Sequence, residues 1–126
     1  MKYSAITEDI TVSVLPVYLD RKSSPIERRF VFAYHVRIEN GGFDEVQLLR
    51  RHWRIVDASG HAEHVEGEGV VGRQPILAPG EVHEYESFCV LKTFEGFMEG
   101  TYTMERENGS RFRVTVPRFD LAAGLN

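Results

Sequence analysis

Apolar and polar residues alternate through most of this chain. In residues 10–19, Ile10, Val12 and Val14 take one side and Thr11 and Ser13 the other, the pattern of a half-buried strand. Pro16 has no N–H for a ladder, so that strand lies at an edge or breaks there. Residues 28–39 set Phe30, Phe32, Tyr34, Val36 and Ile38 against Arg29, His35 and Arg37. Residues 45–56 are apolar on both parities. Leu49, Trp53 and Ile55 share one with Arg51, and Val46, Leu48 and Val56 share the other with Arg50, His52 and Arg54. Trp53 marks the expected core face, because it has the most area to bury. Ala62–Glu66 forms a short strand, and Val82–Val90 sets Val82, Glu84, Glu86 and Phe88 against His83, Tyr85, Ser87 and Cys89. Glu99–Glu105 and a strand carrying Phe112, Val114 and Val116 flank the turn Glu107–Ser110. Pro117 is expected to end that strand, with Phe119 and Leu121 tucked in and Ala122–Asn126 frayed.

Turn residues such as Asn40-Gly41-Gly42 and Asp57–Gly60 separate these stretches, and no helical period intervenes. Seven or eight short strands with frequent turns predict an all-β, antiparallel sandwich of the immunoglobulin/fibronectin type III kind. Leu77-Ala78-Pro79-Gly80 with Tyr85 beyond it, and Gly100-Thr101-Tyr102, add the tyrosine-corner pattern, in which a hydroxyl bonds back to nearby backbone. One domain over residues 1–126 is expected, with 118–126 a loosely ordered tail.

Length and composition suit that reading. The chain has 126 residues, 42% hydrophobic and 27% charged. Its net charge of −4 argues against nucleic acid as a partner, since such binding draws on a basic footprint. No apolar run approaches the ~20 residues of a membrane span. The first ten residues lack a signal peptide's apolar core, and Cys89 is the only cysteine, so a cytoplasmic location is expected.

Gly67, Gly69 and Gly72 spell GxGxxG. The dinucleotide fingerprint works between a strand and a helix, but here Pro75 follows at once and no helical pattern continues. Two uses remain: glycines that permit positive φ in a sharp turn, or a nest of backbone N–H groups holding an anion with Arg73 beside it. A face carrying Arg50, His52 and Arg54, joined by His35 and Arg37 if their strand is the neighbour, also suits anions. His61, Glu63, His64, Glu66 and Glu68 invite a metal reading with His61 and His64 as ligands, although strand alternation puts those two on opposite faces. Cys89 lies six residues from His83, about 20 Å along a strand, too far for a catalytic pair.

Arg51-His52-Trp53, Ile55, Asp57, Gly60, Val65, Gly67, Gly69-Val70-Val71-Gly72, Gln74-Pro75, Leu77, Pro79-Gly80-Glu81, Tyr85, Ser87, Cys89, Leu91, Thr93, Gly96, Met98, Gly100, Tyr102 and Met104 form a dense pattern. In these residues the chain resembles the ApaG (CorD-like) family. The resemblance implies a fibronectin-like sandwich in a small bacterial cytoplasmic protein tied to cobalt and magnesium homeostasis. It also implies a gene often beside that of a diadenosine-tetraphosphate hydrolase. Similar domains in eukaryotic F-box proteins and a polymerase-delta-interacting protein look like protein-binding modules. The family has no agreed catalytic activity, and its GxGxxG suggests a pyrophosphate or nucleotide ligand. His52 falls within the family motif; His61 and His64 do not.

These readings make the chain a non-enzymatic binding module without a cofactor. Its expected partner is an unidentified protein or a second copy of itself. The alternatives are pyrophosphate or a nucleotide held by Gly67, Gly69, Gly72 and Arg73 with Arg51 and His52, or a divalent metal on His61 and His64.

Overall fold

The structure is a computed structural model that describes residues 1–124. Two antiparallel sheets face each other. The first has the order β1 (Tyr3–Thr7), β2 (Ile10–Tyr18), β3 (Phe30–Asn40), β7 (Val82–Leu91). The second has the order β5 (Ala62–Glu68), β4 (Val46–Asp57), β8 (Glu95–Arg106), β9 (Arg111–Ala122), and β6 (Ile76–Leu77) pairs with the start of β4. The immunoglobulin/fibronectin-like sandwich expected from the alternation is therefore what the chain forms.

Alternation explains the core. Val12, Val14, Phe32, Val36 and Ile38 of the first sheet and Met98, Tyr102, Met104, Val114 and Val116 of the second are buried between the layers. Trp53 sits edge-on to Tyr34 at 5.7 Å, Tyr102 at 6.2 Å and Phe119 at 6.1 Å. The contact with Tyr34 joins the two sheets, and those with Tyr102 and Phe119 knit the second, beyond simple area burial.

A bulge accounts for the switch from Val46 and Leu48 to Trp53 along β4. The register with β8 shifts between Leu48 and Arg50, so Leu49 is the extra residue of a bulge. Val46 and Leu48 point to the core before it, and Trp53 points there after it. The expected core position of Leu49 is thus corrected: it is half-exposed, and Leu48 is buried in its place.

Several expectations at the ends are overturned. Tyr3–Thr7 is an additional strand, paired residue for residue with Val14–Ile10. Pro16, by contrast, is where it was expected, at an edge: it lies beyond the last of those pairs while β2 continues alongside β3. Pro117 does not end the last strand. Met98 pairs with Phe119 and Gly100 with Val116, so Pro117 and Arg118 together oppose Glu99 in a second bulge. A bulge leaves residues out of the ladder and so tolerates proline. The chain resumes pairing through Ala122, burying Phe119, Leu121 and Ala123, and Ala123 N–H donates to Phe94 O at 3.0 Å. Residues 118–123 are accordingly part of the sandwich, and Gly124 is an exposed turn residue; Leu125 and Asn126 of the expected loose tail lie outside the described residues.

Candidate functional site

The glycine stretch begins where β5 ends. Gly69 N–H donates to Leu49 O at 2.8 Å. Val70 and Arg73 exchange two backbone hydrogen bonds, 2.8 and 3.1 Å, around Val71 and Gly72, whose φ angles are +47° and +76°. That is a two-residue turn with both central residues left-handed, unusual for the β-branched Val71. A Cβ on Gly69 would lie 2.2 Å from Arg73 O, and one on Gly67 would lie 3.0 Å from Arg51 Nη1. The N–H groups of Gly69, Val70 and Arg73 are therefore committed to carbonyls of the protein.

Arg51 points inward beneath this loop and donates from Nη1 to Glu68 O and Gly69 O, both at 3.0 Å. Its charge reaches Tyr34, Tyr85 and Tyr102, whose hydroxyls burial nonetheless pushes up. The Tyr85 and Tyr102 hydroxyls hydrogen-bond to each other, whereas the corner pattern led us to expect bonds to nearby backbone. The charge of Arg73 acts on His83 of β7. Burial, followed by the Arg73 charge, lowers the His83 pKa, and His83 Nε2 is buried without a hydrogen-bond partner among the described residues. Gly67, Gly69, Gly72, Arg73 and Arg51 thus lie together at the open side of the sandwich, between the end of β5 and β7.

His52 is elsewhere. It lies on the outer face of the second sheet, with Nε2 3.0 Å from His64 Nδ1 and 3.8 Å from Glu66 Oε1. His35 and Arg37 are not its neighbours, since β3 belongs to the other sheet; His35 bonds Glu84 at 3.0 Å and Arg37 bonds Glu39 at 2.7 Å. The joint arginine–histidine face expected from the sequence does not form.

His61 and His64 are also apart. His61 lies before β5, 3.8 Å from Glu63, while His64 faces His52. Among the described residues no group of three or more His, Cys, Asp or Glu is placed to hold a metal ion. Sequence reasoning missed the His52–His64 contact, which is a diagonal: His52 pairs with Glu66 and Arg54 with His64. Only the strand register reveals it.

It also missed the outer face of the first sheet. On β7, Phe88 is 57% exposed and Val90 55% exposed. Phe88 pairs with Ala33, and Ala33 with Val17, so an apolar strip crosses β7, β3 and β2, with Leu15 beside it. Lys22 Nζ stands 5.4 Å from the Phe88 ring centroid. No strand of the described residues lies beyond β7. Asn40 N–H donates to Glu81 O, and the β3–β7 register continues without a shift to Leu91. The alternation of an antiparallel ladder then turns the backbone groups of Val82, Glu84, Glu86, Phe88 and Val90 to the open edge. On the inward parity Cys89 is buried, and burial pushes its thiol up to about 12, the opposite of an activated nucleophile.

The fold and these surfaces define a small β-sandwich with a tied glycine loop and, at β7, an open sheet edge beside an apolar strip. No helix of the described residues is long and apolar enough to cross a membrane. A family model for the ApaG domain matches residues 20–106. A protein ApaG of Rhodospirillum centenum is 53% identical over 119 residues, covering 94% of this chain and 92% of its own. One of Paramagnetospirillum magneticum is 55% identical over the same coverage. The crystal structure of an ApaA protein from Bordetella pertussis superposes with a TM-score of 0.90 at 47% identity, covering 94% of this chain and 96% of that one. The chain belongs to the ApaG family.

Proposed function

We propose that this chain is a non-enzymatic, cytoplasmic protein-binding module that serves cobalt and magnesium homeostasis by contacting other proteins. The observation that carries the binding role is the apolar strip ending at Phe88 and Val90 beside the unpaired edge of β7. Exposed edges invite pairing by another strand, and contiguous apolar surface favours a partner that covers it. The metal link rests on the family resemblance. Capture of partners from a lysate by the wild type and by Phe88→Glu tests the role of this surface. The variant should fold, since Phe88 is half-exposed, and should lose the captured proteins. Equal capture by both would contradict the assignment.

A second reading keeps a small anion at Arg73. The buried, unpartnered His83 Nε2 beside Arg73 favours it. With the N–H groups of Gly69, Val70 and Arg73 committed to carbonyls, side chains would hold most of the anion. Pyrophosphate should then raise the unfolding midpoint of the wild type and leave Arg73→Ala unmoved; an equal rise in both would exclude this site. Direct metal binding at His61 and His64 has less support, because the two rings lie apart.

A further inference from the structure

The open edge of β7 carries a self-complementary pattern. Along it the outward residues run Val82, Glu84, Glu86, Phe88 and Val90, and Lys92 follows directly after the strand. All of them are exposed. An antiparallel partner must oppose these residues with its own, because they are the ones whose backbone groups face the edge.

Consider a second copy of the chain on a two-fold axis, the commonest symmetry of homo-oligomers. With the axis at Glu86, Glu86 meets its own copy, and like charges directly opposite are destabilising. With the axis at Glu84 the same fault recurs. An axis at Ser87 sets Glu86 against Phe88 and Glu84 against Val90, leaving both charges without an opposite partner. An axis at Cys89 sets Phe88 against Val90 and Glu86 against Lys92, but its ladder is shorter and leaves Glu84 outside. With the axis at Phe88, the two Phe88 rings oppose each other, Glu86 faces Val90, and Glu84 faces Lys92 of the second copy. Both ends of that pairing then carry an opposite-charge pair around an aromatic centre, over a longer ladder than the Cys89 axis allows, with Glu86 opposite Val90 as its cost. The apolar strips of the two copies also meet in one face, joined at Phe88.

We propose that this chain forms a two-fold dimer through β7, with Phe88 opposite Phe88 and Glu84 opposite Lys92 of the second copy. The dimer rests on the reading of β7 as the interaction surface, and specifies its occupant. The first sheet becomes a continuous eight-stranded sheet across two copies. The paired segment runs from Glu84 to Lys92 and does not include His83, the β7 residue on which the Arg73 charge acts.

Sedimentation of the full chain, from micromolar concentration to about 1 mM, tests this. A concentration-dependent dimer is expected. Glu84→Lys and Lys92→Glu should each weaken it by roughly tenfold, since each variant sets two like-charge pairs in the interface. The double variant Glu84→Lys/Lys92→Glu should restore it, a result that general surface repulsion would not give. Phe88→Glu should abolish it. A chain that stays monomeric throughout overturns the dimer, and so does a dimer indifferent to these changes. Neither result touches the broader binding role, which partner capture by the wild type and Phe88→Glu reads separately.

Discussion

Tyr85 of β7 and Tyr102 of β8 share a hydrogen bond that ties the two sheets beneath the glycine loop. Tyr102 is fully buried and Tyr85 partly so, with Arg51 close to both. Removing one hydroxyl leaves the other without its partner. Tyr102→Phe should therefore cost about 1–3 kcal/mol by denaturant unfolding. Tyr85→Phe/Tyr102→Phe should cost less than the sum of the single changes, since it removes both polar groups at once. Strict additivity would show that the bond does not couple them.

The glycines of the loop differ in what they tolerate. Gly69 combines φ of +65° with a site where a Cβ would lie 2.2 Å from Arg73 O. Gly72 has φ of +76° but open space around it. Gly72→Ala should cost about 1–2 kcal/mol, the left-handed penalty alone. Gly69→Ala should cost distinctly more, because backbone must also move. Equal unfolding midpoints would remove the steric argument.

Stability should fall in alkali. Burial raises the Cys89 pKa from 9.0 to about 12 and raises those of Tyr34, Tyr85 and Tyr102. Each is an acid held neutral by folding. Below the unfolded values neither state ionises; above them only the unfolded state sheds its protons, so stability declines with rising pH toward the folded values. The midpoint should drop steadily from about pH 9 upward, and Cys89→Ala should flatten the slope. A midpoint level to pH 11 would contradict these assignments.

His83 works in the acid direction. Its pKa is lowered first by burial and then by Arg73. The unfolded chain takes up the proton at a higher pH, so this contribution is present above about 6.5 and is lost as pH falls through the folded value. His83→Leu should lessen the loss of stability between neutral and mildly acid pH. An unchanged profile would place the acid sensitivity elsewhere.

Cys89 should be slow with a thiol reagent. Its sulfur is buried and protonated at neutral pH. Labelling should follow unfolding and quicken sharply in denaturant. Rapid labelling of the folded chain would contradict the inward parity of β7.

The sandwich was legible because alternation over β2, β3, β7 and β9 is strong and local. What escaped depends on partners distant in sequence. The Leu49 bulge is visible only against β8; without it the two apolar parities of β4 look like a conflict. Pro117 reads as a terminator until Glu99 is found opposite it. His52 and His64 meet through the β4–β5 register, and His35 falls away from His52 because β3 and β4 sit in different layers. Nor does alternation say which parity of β7 faces water: Phe88 looks more like core than His83 does. Of the candidate site, the grouping of the glycine residues with Arg73 was local and readable, while the inward course of Arg51 was not.

The open edge of β7 is the centre of this account. Residue-resolved hydrogen exchange, with and without a protein captured by the wild type, reads it most directly. The account expects the edge amides of Glu84, Glu86, Phe88 and Val90 to exchange fast in the free chain at concentrations that keep it monomeric, and to be protected in the complex. Protection confined to the Gly67–Arg73 loop or to the His52–His64 face, with β7 unchanged, would contradict it.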